Sequence, residues 1–239
     1  MYDKIAIFGV SGAIAQAFLT HIKQAYPTAS IWVFGRSQPV VPLKNVNYHV
    51  IDYNTEASLS KTSECLPPAL QFDLVLVATG VLHDGKLQPE KCLQDVSIEK
   101  FQKVFTANSI VPAMIAKYFL PRLNKNRRAI FAVLSARVGS ISDNRLGGWY
   151  AYRASKAALN MLIKNLAIEH GRFCKQSIIV GLHPGTVNSA LSKPFSQRVP
   201  PEKLFSAAQS VDHMMRVLSA LSEHDTGKCW AWDGEEVLP

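Results

Sequence analysis

The sequence predicts an α/β fold, a doubly wound parallel sheet with helices on both faces. Three observations carry that expectation. Six short runs are apolar nearly throughout, as parallel strands covered on both faces require. Longer stretches of helical period lie between them, and strand–helix–strand repetition implies right-handed crossovers. A glycine-rich turn, Gly9-Val10-Ser11-Gly12, joins the first run to the first helical stretch.

In chain order, Ile5–Phe8 is a bare apolar run and reads as the first strand. The turn after it opens a helix over Ile14–Tyr26. The runs Ser30–Phe34 and Val46–Ile51 read as strands two and three, and Glu56–Leu66 as the next helix. Leu74–Ala78 is the fourth strand, followed by one long helix over Ile98–Asn124. Ala129–Leu134 is the fifth strand, Tyr150–His170 a second long helix, and Ser177–Leu182 the sixth strand. The segment Ser189–Lys203, with Pro194, Pro200 and Pro201 among polar residues, reads as a long loop or short helices of the kind that covers a site. No linker, composition shift or repeat divides the chain, so residues 1–239 are expected to form a single domain.

Of the 239 residues, 48% are hydrophobic and 18% charged, a balance that excludes disorder. Cys65, Cys92, Cys174 and Cys229 contain no C-x-x-C pair and give no disulfide framework. The seven histidines show no metal spacing, so no metal is expected. The N-terminus enters a strand almost at once, without a basic leader, and no stretch has the roughly 18 apolar residues of a membrane span. A cytoplasmic protein without a membrane partner is expected. The formal charge of +8 leaves open nucleic acid, a small anion or mere solubility. The compact basic cluster, 124–128, reads as a solvated loop, and no recognition module for nucleic acid is present.

The first turn has the context of a dinucleotide site: it follows a strand, opens a helix and lies in the first βαβ unit. Gly9, Ser11, Gly12, Ala13 and Ile14 would bring backbone N–H groups and a positive helix end to a pyrophosphate; an ordinary tight turn is the other reading. After strand two stand Arg36 and Ser37, where an acidic residue would bind a ribose 2′-hydroxyl and an arginine favours a 2′-phosphate. They point to NADP(H) over NAD(H), against the reading of an exposed loop arginine. Asp52, after strand three, either faces the adenine or begins a helix as its N-cap.

Tyr152 and Lys156 are four residues apart and share a helix face. A nearby ammonium stabilises phenolate and tunes tyrosine toward proton transfer. With the turn and the sheet pattern beside it, the chain resembles the short-chain dehydrogenase/reductase family over essentially its whole length. The family's cofactor-binding fold is the Rossmann fold. Ala78, Thr79 and Gly80 stand at its Asn-Ala-Gly position, Asn108 matches its helix asparagine, and Tyr152 with Lys156 match its active pair. Pro184, Gly185, Val187 and Ser189 lie in a stretch resembling its cofactor-closing loop. The stretch from Gly139 to Lys156 is similar to the C-factor and sniffer-like carbonyl reductase branch.

The resemblance implies a carbonyl reductase acting on a small-molecule aldehyde, ketone or quinone. Tyr152 would give a proton to the carbonyl oxygen, Lys156 would lower the Tyr152 pKa and hold the ribose, and Asn108 would bind a water of the proton relay. Ser189 would touch the pyrophosphate and Val187 the carboxamide. A homodimer or homotetramer through the two long helices is also implied. A cofactor-binding signalling protein of C-factor type, with little turnover, is the alternative.

Three departures stand against the family's pattern. Phe8 replaces its first threonine. Ala13 and Ala15 replace later glycines, and Thr79 replaces a small residue. The catalytic serine position, in Ala136-Arg137-Val138-Gly139, is alanine. Ser135 is one residue early, on the face that alternation turns from the site. Ser140 is the candidate substitute. Trp149, Trp230 and Trp232 are read as pocket walls or core, with core the reading for at least one of the last two. His83 and His183 are read as cofactor neighbours or as structural.

Overall fold

The computed structural model describes residues 2–38, 43–196 and 199–239. The chain runs through β1 (Lys4–Phe8), α1 (Ala13–Ala25), β2 (Ser30–Gly35), β3 (Val46–Val50), α2 (Glu56–Glu64) and β4 (Leu74–Val77). It continues through α3 (Ile98–Phe105), α4 (Val111–Phe119), β5 (Ala129–Leu134), α5 (Tyr150–Gly171) and β6 (Ser177–His183). Two short strands, β7 (Thr186–Val187) and β8 (Leu204–Phe205), precede α6 (Ala207–Ala220) and β9 (Cys229–Ala231).

Seven strands form one sheet in the order β3-β2-β1-β4-β5-β6-β9, every neighbouring pair parallel. Strand order reverses between β1 and β4, and the crevice beyond their carboxyl ends is where such sheets bind ligands. Side-chain alternation divides the core between two faces. Ile5 and Ile7 of β1 pack with Phe18 and Ile22 of α1 and Met214 and Leu218 of α6. Ala6 and Phe8 face Leu59 of α2, Ile115 and Phe119 of α4, and Ile163 of α5. Phe8 stacks on Phe34 at 4.4 Å and meets the edge of Phe119 at 4.7 Å, so this departure from the family's threonine is filled core.

Asp73, 1% exposed, pins the amino ends of the central strands. It accepts from Asp3 N and Lys4 N at 2.8 and 3.0 Å, from Asn124 Nδ2 at 3.0 Å and from Arg127 Nε at 2.9 Å. Burial alone would raise its pKa, but these donors outweigh it and hold the carboxyl below the usual range. Two cations of the basic cluster therefore have partners in the fold: Arg127, itself half exposed, on Asp73 and Asp3, and Arg128 on the carbonyl oxygens of Leu218 and Leu221.

Three elements differ from the expectation. β3 is an edge strand of sequence Val-Asn-Tyr-His-Val, partly open to solvent, rather than a run covered on both faces. The single helix over Ile98–Asn124 is divided: a π turn at Thr106–Ile110 separates α3 from α4, and a 3-10 turn, Leu120–Arg122, follows α4. Pro112 has no N–H to offer the Asn108 carbonyl four residues back, and Val111 N reaches Thr106 O, five residues back. Finally, α6 has no counterpart in the sequence reading. Its signal was present: Ser206 Oγ accepts from Gln209 N and Gln209 Oε1 accepts from Ser206 N, a capping box ahead of Val211, Met214, Met215 and Leu218.

Candidate active site

At the carboxyl end of β1, Gly9 has φ +83°, and a Cβ there would lie 2.9 Å from the backbone of Ala78. Only glycine lets β1 turn this close to β4. Gly9 N donates to Phe34 O and to Tyr53 Oη, both at 3.1 Å, and the Tyr53 hydroxyl donates to Phe34 O at 2.8 Å. Burial raises the Tyr53 pKa, so the hydroxyl stays a donor. Tyr53 is a buttress the sequence reading missed; its place straight after Asp52 carried no motif. Ser11, Gly12 and Ala13 are exposed and Ile14 half-buried, and the first turn of α1 holds no acidic residue. The N–H groups of a first helical turn have no partner within the helix, and no acidic residue in this turn competes for a phosphate.

Arg36 and Ser37 are exposed just beyond β2. Asp52 does not cap a helix. The N-cap residue of α2 is Thr55, while Asp52 Oδ1 accepts from Asn54 N at 2.9 Å and from Asn54 Nδ2 at 3.0 Å. The residue folds its own turn, and of its two readings the N-cap is withdrawn.

At the other end of the crevice the π turn carries Asn108, fully buried. Its Oδ1 accepts from Val81 N at 2.7 Å and its Nδ2 donates to Val81 O at 2.9 Å, a two-point clasp on the segment after β4. The same Nδ2 reaches Ser155 Oγ at 3.1 Å, and Ser155 Oγ donates to Tyr152 O at 2.8 Å. Ser155, also fully buried, thereby links Asn108 to the helix turn that carries Tyr152 and Lys156. The sequence reading assigned it nothing.

A Cβ built on Gly80 would stand 3.2 Å from Asn108 Oδ1 and 3.8 Å from Lys156 Nζ. Beside it, Thr79 Oγ1 is buried without a hydrogen-bond partner among the described residues. Ala78 and Thr79 are half-buried and Gly80 exposed. A cradle kept clear of side-chain atoms, an orphaned hydroxyl and an open helix N-terminus at the same strand ends fit an extended dinucleotide. Among the described residues, no three His, Cys, Asp or Glu side chains gather as metal ligands do.

Lys156 Nζ donates to Leu134 O at 2.8 Å and sits 5.9 Å from the centre of the Tyr152 ring. Burial pulls the Lys156 pKa down to about 8 and pushes Tyr152 up to about 12. The expected depression of the tyrosine by the lysine is thus not what this geometry gives. Burial sets the direction of the Tyr152 shift, and the phenol keeps its proton, as a proton donor must.

The serines around β5 are committed elsewhere. Ser135 Oγ donates to Asn160 Oδ1 at 2.6 Å, one turn beyond Lys156 on α5. Ser140, 2% exposed, accepts from Asp143 N at 3.1 Å and lies 3.3 Å from Ser142 Oγ. Its hydroxyl closes its own turn. Gly139 packs straight onto α5, where a Cβ would come within 2.8 Å of the Lys156 backbone. Ala136 leaves this wall without a hydroxyl of its own.

The segment after β6 is anchored to α6 and β8. Pro184 O accepts from Ser210 Oγ at 2.7 Å, and Gly185, φ +73°, leaves no room for a Cβ against Phe205 at 2.7 Å. Val187 is buried, its carbonyl accepts from Ser192 Oγ, and Ser189 N donates to Ser192 Oγ at 3.2 Å. Trp232 stacks with His213 at 5.1 Å and meets Phe205 at 4.6 Å, so it packs the loop base. Farther on, 3-10 turns at Lys193–Phe195 and Pro201–Lys203 agree with the expected loop of short helices, of which residues 197 and 198 lie outside the described residues. His83 Nε2 lies 3.1 Å from the carbonyl oxygens of Ala190 and Leu191, tying this loop to the segment after β4.

Comparisons with known proteins agree with this fold. The chain is 32% identical over 145 residues to "C-signal" of Myxococcus xanthus, covering 61% of this chain and 82% of that protein. Its fold superposes on the carbonyl reductase Sniffer of D. melanogaster with TM-score 0.86 at 20% identity, over the whole of both chains. An NADPH-bound carbonyl reductase from chicken fatty liver gives TM-score 0.84 at 22% identity, covering 99% of this chain and 98% of that one. At such identities these two structures establish the fold alone. The sequence model described as "short chain dehydrogenase" matches residues 44–200, from before β3 through the closing loop, and the chain belongs to the short-chain dehydrogenase family.

Proposed function

We propose that the protein is an NADP(H)-dependent carbonyl reductase whose residues 1–239 form one cofactor-binding unit. The observation that carries the reading is the convergence on Gly80 of Asn108 Oδ1 and Lys156 Nζ, with Tyr152 one turn away on the same face of α5. The relatives support the cofactor class: the chicken carbonyl reductase is NADPH-bound.

In this reading the turn Gly9, Ser11, Gly12, Ala13 and Ile14 holds the pyrophosphate, and Arg36 with Ser37 takes the 2′-phosphate. Asp52 sits beside the adenine, and Ala78, Thr79 and Gly80 bed the ribose and nicotinamide. Pro184, Gly185, Val187 and Ser189 close over the far side. The nicotinamide, when bound, supplies the hydride. Tyr152 donates its phenolic proton to the carbonyl oxygen, and its neutral state keeps that proton available. Lys156 carries positive charge beside the phenolate that remains and stabilises it. Asn108, held by Val81 and Ser155, fixes the π turn and faces the site where a relay water would return the proton. Ser140 shapes the loop opposite Tyr152 and orients the substrate through that loop.

A titration of NADPH fluorescence tests the cofactor assignment. Saturable micromolar binding, lost with a reversed charge at Arg36, is expected; no binding to NADPH or NADH overturns the reading. A second reading, a cofactor-binding signalling protein with little turnover, is favoured by Ala136 at the serine position and by the likeness to C-signal. Turnover of a panel of aldehydes, ketones and quinones separates the two.

We also propose a homodimer or homotetramer through the long helices, where Met161 and Ile168 on α5, and Phe173 just beyond its end, leave apolar surface exposed. The four cysteines are free thiols, which supports a reducing, cytoplasmic setting.

A further inference from the structure

Glu90 lies between β4 and α3, outside every motif in the chain, yet is 2% exposed. A carboxyl group is buried at a cost unless hydrogen bonds compensate it. Here Glu90 Oε2 accepts from Ala151 N at 3.3 Å in the first turn of α5, and Glu90 O accepts from Trp149 N at 2.5 Å. One residue thus binds the helix that carries Tyr152 from both its side chain and its backbone.

What it binds is strained. Gly147, Gly148 and Trp149 have φ of +63°, +62° and +49° in succession. Two glycines adopt this region freely, but a tryptophan enters it only where its surroundings over-determine the backbone. Trp149 has no side-chain capping bond of its own at the head of α5. Arg153 Nε holds Gly147 O at 3.1 Å from the other side. The indole projects from this strained backbone toward Tyr152 and Phe195. Its ring centre lies 6.1 Å from that of Tyr152, nearly perpendicular, and 5.0 Å from Phe195, which in turn meets His83 at 5.5 Å.

We propose that Glu90 is a positioning residue that holds Trp149 as the specificity-determining wall above Tyr152, selecting ring-bearing carbonyl compounds over short aliphatic ones. The substrate half of this inference rests on the reductase reading; the Glu90–Trp149 half stands on the geometry alone. A flat ring gains contact with the indole and with Phe195 that a short chain does not.

The test compares kcat/KM for acetonaphthone and for propanal in wild type, Glu90→Ala, Glu90→Gln and Trp149→Ala. Acrylamide quenching of the Trp149 emission, obtained by subtraction of Trp149→Phe, is measured in parallel. The expected result is a fall of about tenfold in the aromatic-to-aliphatic ratio for Glu90→Ala and Trp149→Ala. Glu90→Gln, which keeps an acceptor oxygen, restores most of the ratio, and quenching of Trp149 rises in Glu90→Ala only. Equal losses on both substrates, or an unchanged ratio, overturn the proposal. If Glu90→Ala does not fold, Gly148→Ala replaces it, because a Cβ there crowds Glu90 O at 3.3 Å while leaving the glutamate in place. Wild-type protein inert toward both compounds overturns the reductase reading instead. The quenching comparison then decides the Glu90 assignment, with unchanged quenching overturning it.

Discussion

Lys156 Nζ donates to the carbonyl oxygen of Leu134, the last residue of β5, across 2.8 Å. The bond draws the ammonium to the carboxyl end of a central strand and away from bulk water, and burial holds its pKa at about 8. Below that value the lysine is charged and, in the proposed reaction, supports the phenolate left on Tyr152; above it the charge is lost. Carbonyl reduction, followed as kcat/KM, is therefore expected to decline as pH rises through about 8. In Lys156→Arg, where the charge persists, that descent moves to higher pH. A profile flat to about pH 10 would contradict the assignment.

Asn108 makes three side-chain hydrogen bonds from a fully buried position. Asn108→Ala strips both backbone partners from Val81 and frees Ser155. A loss of about 2–3 kcal/mol in denaturant unfolding is expected, because unmatched buried groups bear their desolvation cost. Activity should fall even where the variant is fully folded, since the π turn loses its clasp. Unchanged stability would show that Val81 finds other partners at no cost.

In the proposed reading, Arg36 carries the preference for NADP(H). Arg36→Glu places a carboxylate where a 2′-phosphate would bind, and the ratio of NADPH to NADH affinity is expected to fall by about 2 kcal/mol or more. Stability should hardly change, because the side chain is exposed. Equal weakening of both cofactors would show that Arg36 reads only overall charge.

His183 is kept neutral chiefly by burial, with the Arg137 charge adding to it, and its pKa falls from 6.5 to about 4. The unfolded chain takes up this proton near 6.5, while the folded chain resists until about 4. Stability is therefore present above 6.5 and is lost as pH falls through that window, by on the order of 2–3 kcal/mol. Urea unfolding at about pH 7 and about pH 4.5 should show a smaller acid loss in His183→Gln than in wild type. Equal losses would remove His183 from the account.

Much of this arrangement is legible along the chain. The runs that became β1, β2, β4, β5 and β6 are apolar because helices cover both faces, and Tyr152 and Lys156 share a face because four residues make a helical turn. What escaped depends on pairings that no local pattern encodes. Glu90 and Tyr53 act on residues 61 and 44 positions away in the chain. Ser155 gains its role only because the π turn brings Asn108 beside α5, and that turn breaks a stretch that periodicity reads as continuous. The inversion of the Tyr152 shift has the same origin: spacing fixes the lysine's distance along the helix, whereas burial sets which form each group prefers. By contrast α6 was readable from its capping box. Spacing likewise offered Ser140 as a hydroxyl near the site without showing that it also accepts from Asp143 N within its own loop.

The central claim is that Tyr152 supplies the proton in a reduction coupled to NADPH. It is tested most directly by following NADPH oxidation with a panel of carbonyl compounds in wild type and Tyr152→Phe, with NADPH affinity measured on both. The account predicts turnover in wild type and a loss of about 10²–10⁴-fold in the variant, with cofactor affinity nearly unchanged. Equal turnover in the two proteins, or NADPH binding with no turnover of any compound in wild type, would contradict it.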